Sequence, residues 1–440
     1  MSDSAIPVQV RGRYFWKGDE RFLLRGVVYQ MKGARPNGHS PTQDPLGDDM
    51  LEDLKRSLPL LEELRLNTLF VCTLLFPFMW STAYTPREDS IDHTKSHEKT
   101  MKLLADAGIY VIFVGLLISD DDAEDDLTMQ CLSTPRCCIN RSAPFESYTQ
   151  DLLQEYFSTI DCISAYSNTL GAILANEVIN SVRNTNAAAI IRAVTRDVKK
   201  YMALAAEVYN QRIIPVGISS SKILTVFQSE FDYLSGGDQK EALDFFSFND
   251  YSWCGESSMM ISGYDRLVDR FSKAHIPVFF SEYGANVTRP RLFHETSAIY
   301  SPEMTNVFSG GIVYEFIEGL NRYGLVRIAE GGQLEPLQDF HNLKVGLNMC
   351  CNVQPNTSVE WSSSSNTASM APKMPQVSSD WRAKPDIPES PVDWEEARKQ
   401  IEDGQWIDVE REIRAFEMEE LANSMWGRFQ LDGTGPHWSQ

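Results

Sequence analysis

The chain has 440 residues and a formal net charge of −21, which excludes phosphate-rich partners such as nucleic acid or an anionic membrane surface. Hydrophobic content of 42% and charged content of 23% are those of a soluble globular protein, long enough for one large α/β domain with an appendage. Eight cysteines in a chain of this size make no disulfide scaffold. Neither Cys131, Cys137 and Cys138 nor Cys350 and Cys351 has zinc-ligand spacing, so no metal or other cofactor is expected.

The first residues lack the basic and apolar regions of a signal peptide. No apolar run reaches transmembrane length, and the last residues carry no lipid-anchor signal. Taken literally, the chain is soluble and not exported. Residues 8–20 alternate loosely about a Lys-Gly-Asp turn and predict a hairpin plugging the bottom of a barrel. Strands are then predicted over Phe22–Gln30, Thr68–Leu75, Ile109–Leu116, Leu170–Glu177, Ile213–Ser219, Phe245–Tyr251, Val278–Glu282 and Gly311–Phe316. Helix-like stretches lie between several of them, at Leu51–Leu64, Lys95–Ala107, Glu146–Tyr166, Asn186–Tyr209 and Tyr264–Lys273. Strands apolar on both faces, alternating with helices, predict a parallel (β/α)8 TIM barrel whose site lies at the C-terminal strand ends.

Insertions follow the second and third strands, at Phe76–Asp92 and Ser119–Pro144. The acid run Asp120–Asp126 in the latter lacks the alternating ligands and glycine of a calcium loop and reads as a solvated face. The predicted organisation is a barrel over residues 1–345, a Ser/Pro-rich disordered linker over 346–392 and an acidic helical tail over 393–440. The tail's apolar positions recur at loosely helical intervals, so it either folds back on the barrel or binds a protein partner. Its tryptophans are expected to pack rather than hold sugar.

Two strand ends share one grammar. Leu170-Gly-Ala-Ile-Leu-Ala-Asn-Glu177 and Pro277-Val-Phe-Phe-Ser-Glu-Tyr-Gly284 each deliver a carboxylate from an apolar strand, with Gly284 turning the chain away. Two carboxylates at one mouth are what retaining glycosidic chemistry requires, one as acid/base and the other as nucleophile. Tyr29, Gln30, Asn176, Asn249, Tyr251, Tyr283 and Tyr314 also fall at strand ends and are candidate sugar contacts.

Several motifs, in order from about residue 8 to 345, resemble the fungal β-1,3-glucanosyltransferases of glycoside hydrolase family 72. They include Leu24-Arg-Gly-Val-Val-Tyr-Gln30, Asp44-Pro-Leu46, Ala175-Asn-Glu-Val-Ile-Asn180, Asn249-Asp-Tyr-Ser-Trp-Cys-Gly255, Pro290-Arg-Leu-Phe293 and Asn321-Arg-Tyr-Gly-Leu-Val326. The resemblance implies Glu177 as acid/base, Glu282 as nucleophile and β-1,3-glucan as substrate, transferred between chains at the cell surface. The competing readings are plain glucan hydrolysis and a weakened glucan-binding protein. Three departures favour the latter: Cys72 and Leu74 stand where the family has Arg and Tyr, and Val114 falls near the family Asp. The family's cystines are also broken, because the usual partner position of Cys254 is Ala285 and Ser235 replaces another cysteine.

Overall fold

The computed structural model describes residues 5–30, 44–71, 91–114, 139–319, 321–350 and 371–403. Strands β1 (Val8–Arg11), β2 (Tyr14–Lys17) and β3 (Glu20–Arg21) form a small antiparallel sheet. Eight parallel strands then close a barrel: β4 (Leu24–Val28), β5 (Thr68–Val71), β6 (Tyr110–Val114), β7 (Thr169–Asn176), β8 (Val216–Ser220), β9 (Phe245–Asn249), β10 (Val278–Tyr283) and β11 (Gly310–Val313). All eight were legible as apolar runs. Helices buried the outer strand faces, which is why these runs are apolar on both sides rather than alternating with polar residues.

Two cores result, sorted by the two-residue period of a strand. Leu24, Val28, Phe70, Tyr110, Ile112, Val114, Phe245, Phe279 and Ile312 fill the barrel. Their neighbours Val27, Leu69, Val71, Val111, Phe113, Phe246 and Phe280 face the helices. The small sheet closes the bottom as expected. Phe15 lies 5.8 Å from Phe245 and 6.0 Å from Phe279, and the Tyr110 hydroxyl donates to the Ile6 carbonyl.

The predicted helix over Glu146–Tyr166 is two elements, Pro144–Ser147 and Gln150–Ser164. Thr149 caps the second by accepting from the Leu152 amide, so the chain restarts there. The helices Phe227–Ser235 and Gln338–Cys350 are among those that were not predicted. The first hides Glu230 beneath β8, 1% exposed, where the Ser220 hydroxyl donates to it at 2.7 Å. A charge at such a position breaks the apolar pattern that marks a core helix.

Residues 371–392, inside the stretch read as linker, carry no helix or strand but are fastened to the barrel. Trp381 is 2% exposed and packs against Tyr233, and the Tyr233 hydroxyl donates to the Lys384 carbonyl. Arg196 donates to the Pro388 carbonyl at 2.9 Å, and the Arg382 amide to Thr185 at 3.0 Å. The helix Trp394–Glu402 follows, its Trp394 ring 6.1 Å from Phe157 with the Lys200 ammonium 4.3 Å above it. Trp394 therefore packs, as expected. Cys72, Leu74, the acid run Asp120–Asp126 and the tail past residue 403 lie outside the described residues.

Replacing Trp381 by Ala leaves a cavity under this strap and should cost about 3–5 kcal/mol in a denaturant titration. Glu230 supplies a pH test. Burial pushes its carboxyl up from 4.5 to about 8, against the Ser220 hydrogen bond. The folded chain then holds a proton that the unfolded chain has lost, so this part of the stability is complete below 4.5 and is lost as pH rises to about 8. Glu230→Gln should flatten the stability profile across that window.

Candidate active site

The strand mouth is built on a polar cluster centred on Asn249, 5% exposed at the end of β9. Its Oδ1 lies 3.0 Å from the Ser219 hydroxyl of β8 and 2.9 Å from the Ser281 hydroxyl of β10. The two hydroxyls are 2.7 Å apart. Hydroxyl donors on one side fix the amide carbonyl there and turn the NH2 group to the other side, where it donates to Glu177 Oε1 at 2.7 Å. The orientation of the amide thus follows from its neighbours' chemistry.

Glu177 follows β7 in a left-handed conformation, φ 51°. Both of its backbone groups are tied down: its amide donates to the Ser219 carbonyl at 2.7 Å, and its carbonyl accepts from Arg141 at 3.1 Å. Those bonds hold a conformation that a β-carbon disfavours. Glu282 is 3% exposed and accepts from the Tyr251 hydroxyl at 2.5 Å. Burial and the neighbouring Glu282 charge both push the Tyr251 phenol well above its ordinary 10, so it stays protonated and donating.

Register shifts explain how these groups reach the mouth. Along β10, Phe280 pairs with Phe248 and Glu282 pairs with Asn249, so one extra residue is inserted between the two pairs. The bulge keeps Ser281 beside Asn249 and still presents Glu282 to Tyr251. A comparable shift lies between Ile173 and Asn176 in β7. Gly284 then turns away with φ 109°, where a β-carbon would sit 3.1 Å from Phe293 and 3.2 Å from Arg291.

Of the remaining candidates, Asn176 is buried at the end of β7, and Gln30 is buried two residues beyond the end of β4. Tyr314 joins Tyr251 and Tyr323 in an aromatic cluster, with centroids 6.4 Å apart for Tyr251–Tyr314, 5.7 Å for Tyr251–Tyr323 and 5.2 Å for Tyr314–Tyr323. Tyr29 and Tyr283 are corrected. Both belong to the outer core under the helices; Tyr29 bonds Ser57, and Tyr283 packs on Gly311. Strand alternation carries Tyr29 outward, and the β10 bulge carries Tyr283 outward.

Sequence reasoning missed Tyr323, Arg141, Ser219 and Arg291. Arg291 is 2% exposed, pairs with Asp339 at 2.6 Å and donates to the carbonyls of Gly284 at 3.2 Å, Tyr314 at 2.6 Å and Tyr323 at 2.6 Å. It pins the ends of β10 and β11 to the loop carrying Tyr323. The signal was present, since Arg291 and Tyr323 sit inside Pro290-Arg-Leu-Phe293 and Asn321-Arg-Tyr-Gly-Leu-Val326. Val114 closes β6 with an apolar side chain that belongs to the barrel interior. Cys254 is a free, exposed thiol, as the broken cystine motif implied.

A closed parallel barrel that brings two glutamates to one mouth is the architecture of enzymes acting on glycosidic bonds. The family model described as Glucanosyltransferase matches residues 1–350, and the chain belongs to that family. It is 39% identical over 350 residues to 1,3-beta-glucanosyltransferase gel1 of Aspergillus fumigatus, covering 80% of this chain and 67% of that one. It is 38% identical over 395 residues to 1,3-beta-glucanosyltransferase GAS5 of Saccharomyces cerevisiae, covering 89% of this chain and 71% of that one. Saccharomyces cerevisiae Gas2p, solved with laminaritriose and laminaritetraose, superposes with a TM-score of 0.72 at 31% identity, covering 90% of this chain and 80% of that one.

Removing the phenol donor by Tyr251→Phe should raise the pH at which Glu282 titrates, because the hydrogen bond favours the charged carboxylate. Carboxyl carbon NMR reads this directly. An unmoved titration would mean that the bond does no electrostatic work.

Proposed function

We propose that the chain is a retaining β-1,3-glucan transglycosylase that remodels cell-wall glucan, with Glu282 as nucleophile and Glu177 as acid/base. The Glu282 carboxylate attacks the anomeric carbon while the glycosidic C–O bond breaks, and protonated Glu177 gives its proton to the departing oxygen. Glu177, now a carboxylate, takes the proton of an acceptor hydroxyl, whose oxygen displaces Glu282 from the sugar. No cofactor enters the sequence.

The observation that carries this reading is the Asn249 amide, which donates to Glu177 from a residue paired in register with Glu282. One rigid polar cluster thus sets both carboxylates. Tyr251 supports Glu282 as a carboxylate, and Tyr314, packed beside it with Tyr323, is assigned an aromatic sugar contact. Asn176 and Gln30 are assigned polar sugar contacts. The family activity, named for gel1 and GAS5, and the laminari-oligosaccharides bound to Gas2p support the substrate class. Val114 favours a second reading, a weakened glucan-binding protein, because an apolar side chain there offers no hydrogen bond to sugar or water.

A reducing-end-labelled β-1,3-gluco-oligosaccharide, sized by mass spectrometry, decides between them. Transfer yields labelled products longer than the input. Glu177→Gln and Glu282→Gln should each lower turnover by at least about 10²-fold. Shorter products alone would establish a hydrolase. An unchanged but bound oligosaccharide would establish a binding protein.

A further inference from the structure

The strap over residues 371–392 reaches the loop that follows Glu177. Ser378 folds it into a turn, its amide donating to the Trp381 carbonyl at 2.7 Å and its hydroxyl accepting the Trp381 amide at 3.1 Å. The turn buries Trp381 against Tyr233 and leaves Arg382 exposed beside the loop. There the Arg382 amide donates to the Thr185 hydroxyl at 3.0 Å, and the guanidinium donates to the Arg183 carbonyl at 3.1 Å. One strap residue thus grips the loop on both sides of Asn184.

Asn184 carries that grip back towards Glu177. It ends the short helix Val182–Asn184, and its side-chain carbonyl accepts the Ser181 amide at 3.1 Å. Its NH2 group donates to the Val178 carbonyl at 3.1 Å and to Asn180 Oδ1 at 2.8 Å. Val178 is the next residue after Glu177. Thr185 is fully buried, and its hydroxyl has the Val182 carbonyl at 3.2 Å and the strap's Asp380 carbonyl at 3.4 Å as acceptors. On the barrel side the Glu177 amide donates to the Ser219 carbonyl at 2.7 Å, and the Ser221 hydroxyl donates to the Ile179 carbonyl at 2.6 Å. The loop is therefore clamped between the barrel and the strap. Glu177 has φ 51°, a conformation that a residue with a β-carbon keeps only where its surroundings fix it.

We propose that Thr185 and Arg382 are positioning residues for proton transfer by Glu177, so that the strap beyond the barrel helps to orient the acid/base. The inference rests on the reading of Glu177 as that group. Proton transfer needs the carboxyl within hydrogen-bond reach of the departing oxygen, and a misplacement of about 1 Å can cost up to about 10²-fold. Asn249 fixes the Glu177 carboxylate from the barrel, whereas the strap acts on the backbone that follows it.

Thr185→Val removes the strap's buried acceptor, and Arg382→Met keeps the stem but removes the guanidinium. Turnover of a β-1,3-gluco-oligosaccharide should fall about tenfold and about threefold respectively, with KM unchanged. Arg382→Lys restores a donor and should recover most of the second loss. Arg382 is exposed, so its variants keep the test decisive if Thr185→Val folds poorly. Leaving-group dependence separates positioning from general loosening. Dinitrophenolate departs without needing a proton, so its first-turnover release from a dinitrophenyl glycoside of the same sugar chain bypasses the acid. That release should stay within about twofold in both variants. Equal losses on the two substrates, or none on either, would overturn the proposal. Arg398→Ala frees the far end of the same segment, where Arg398 bonds Glu207 at 2.6 Å, and should alter neither reaction. A matching loss in that variant would overturn the proposal too. Glu177→Gln should show the same selectivity more strongly. If it does and the strap variants do not, the positioning role alone falls; if Glu177→Gln slows neither reaction, the acid/base reading falls and takes this inference with it.

Discussion

The arrangement at the mouth depends on one side-chain amide. Asn249 has a carbonyl that accepts and an NH2 that only donates, and the protein exploits the asymmetry. Hydroxyls from β8 and β10 occupy the carbonyl side, so the donor side faces Glu177. Rotating the amide would take its NH2 donor away from Glu177 and turn the carbonyl away from the two hydroxyls that donate to it. Asn249 thereby couples three consecutive barrel strands to the carboxylate at the end of a fourth. Its burial strengthens each contact, because little water competes for these groups.

Around that centre, positively charged groups are used as fasteners. Arg291 places its donors on carbonyls from β10, β11 and the loop before Val326, and Asp339 balances its charge. A buried guanidinium without that carboxylate would be costly, so the pair enforces one loop arrangement more than it adds stability. Arg196 does similar work on the opposite side, joining Asp197 and Tyr148 while holding the strap through the Pro388 carbonyl. The strap has no ladder of its own. It stays down because Trp381 and Val392 are buried and because barrel side chains satisfy its backbone groups.

The eight strands could be read from sequence because apolar runs buried on two faces leave a strong signal. Which residues of a run face inward could not be read as safely, since a bulge adds one residue without any mark in composition. Glu282 and Tyr283 stood side by side as mouth residues, and the register shift in β10 separates them. Tyr29 went astray for the plainer reason that an aromatic at a strand end serves equally as wall or as core. Buried charges were the other blind spot. Glu230, Arg291 and Asp339 satisfy one another or nearby hydroxyls across 10 to 48 residues of sequence, a pairing that local patterns do not carry.

Glu282 takes its support from a neutral donor, the Tyr251 phenol. A cation stabilises a carboxylate by charge, whereas a phenol does so through one short hydrogen bond, and the Tyr251 bond is 2.5 Å long. The phenol can play this part at any working pH because its own ionisation is suppressed by burial and by the very charge it supports. Its ring is in turn held edge-on by Tyr314 and Tyr323, so the donor cannot swing away. The groups proposed to make and break the glycosidic bond are positioned by a network that runs from Arg141 through Asn249 to Tyr251.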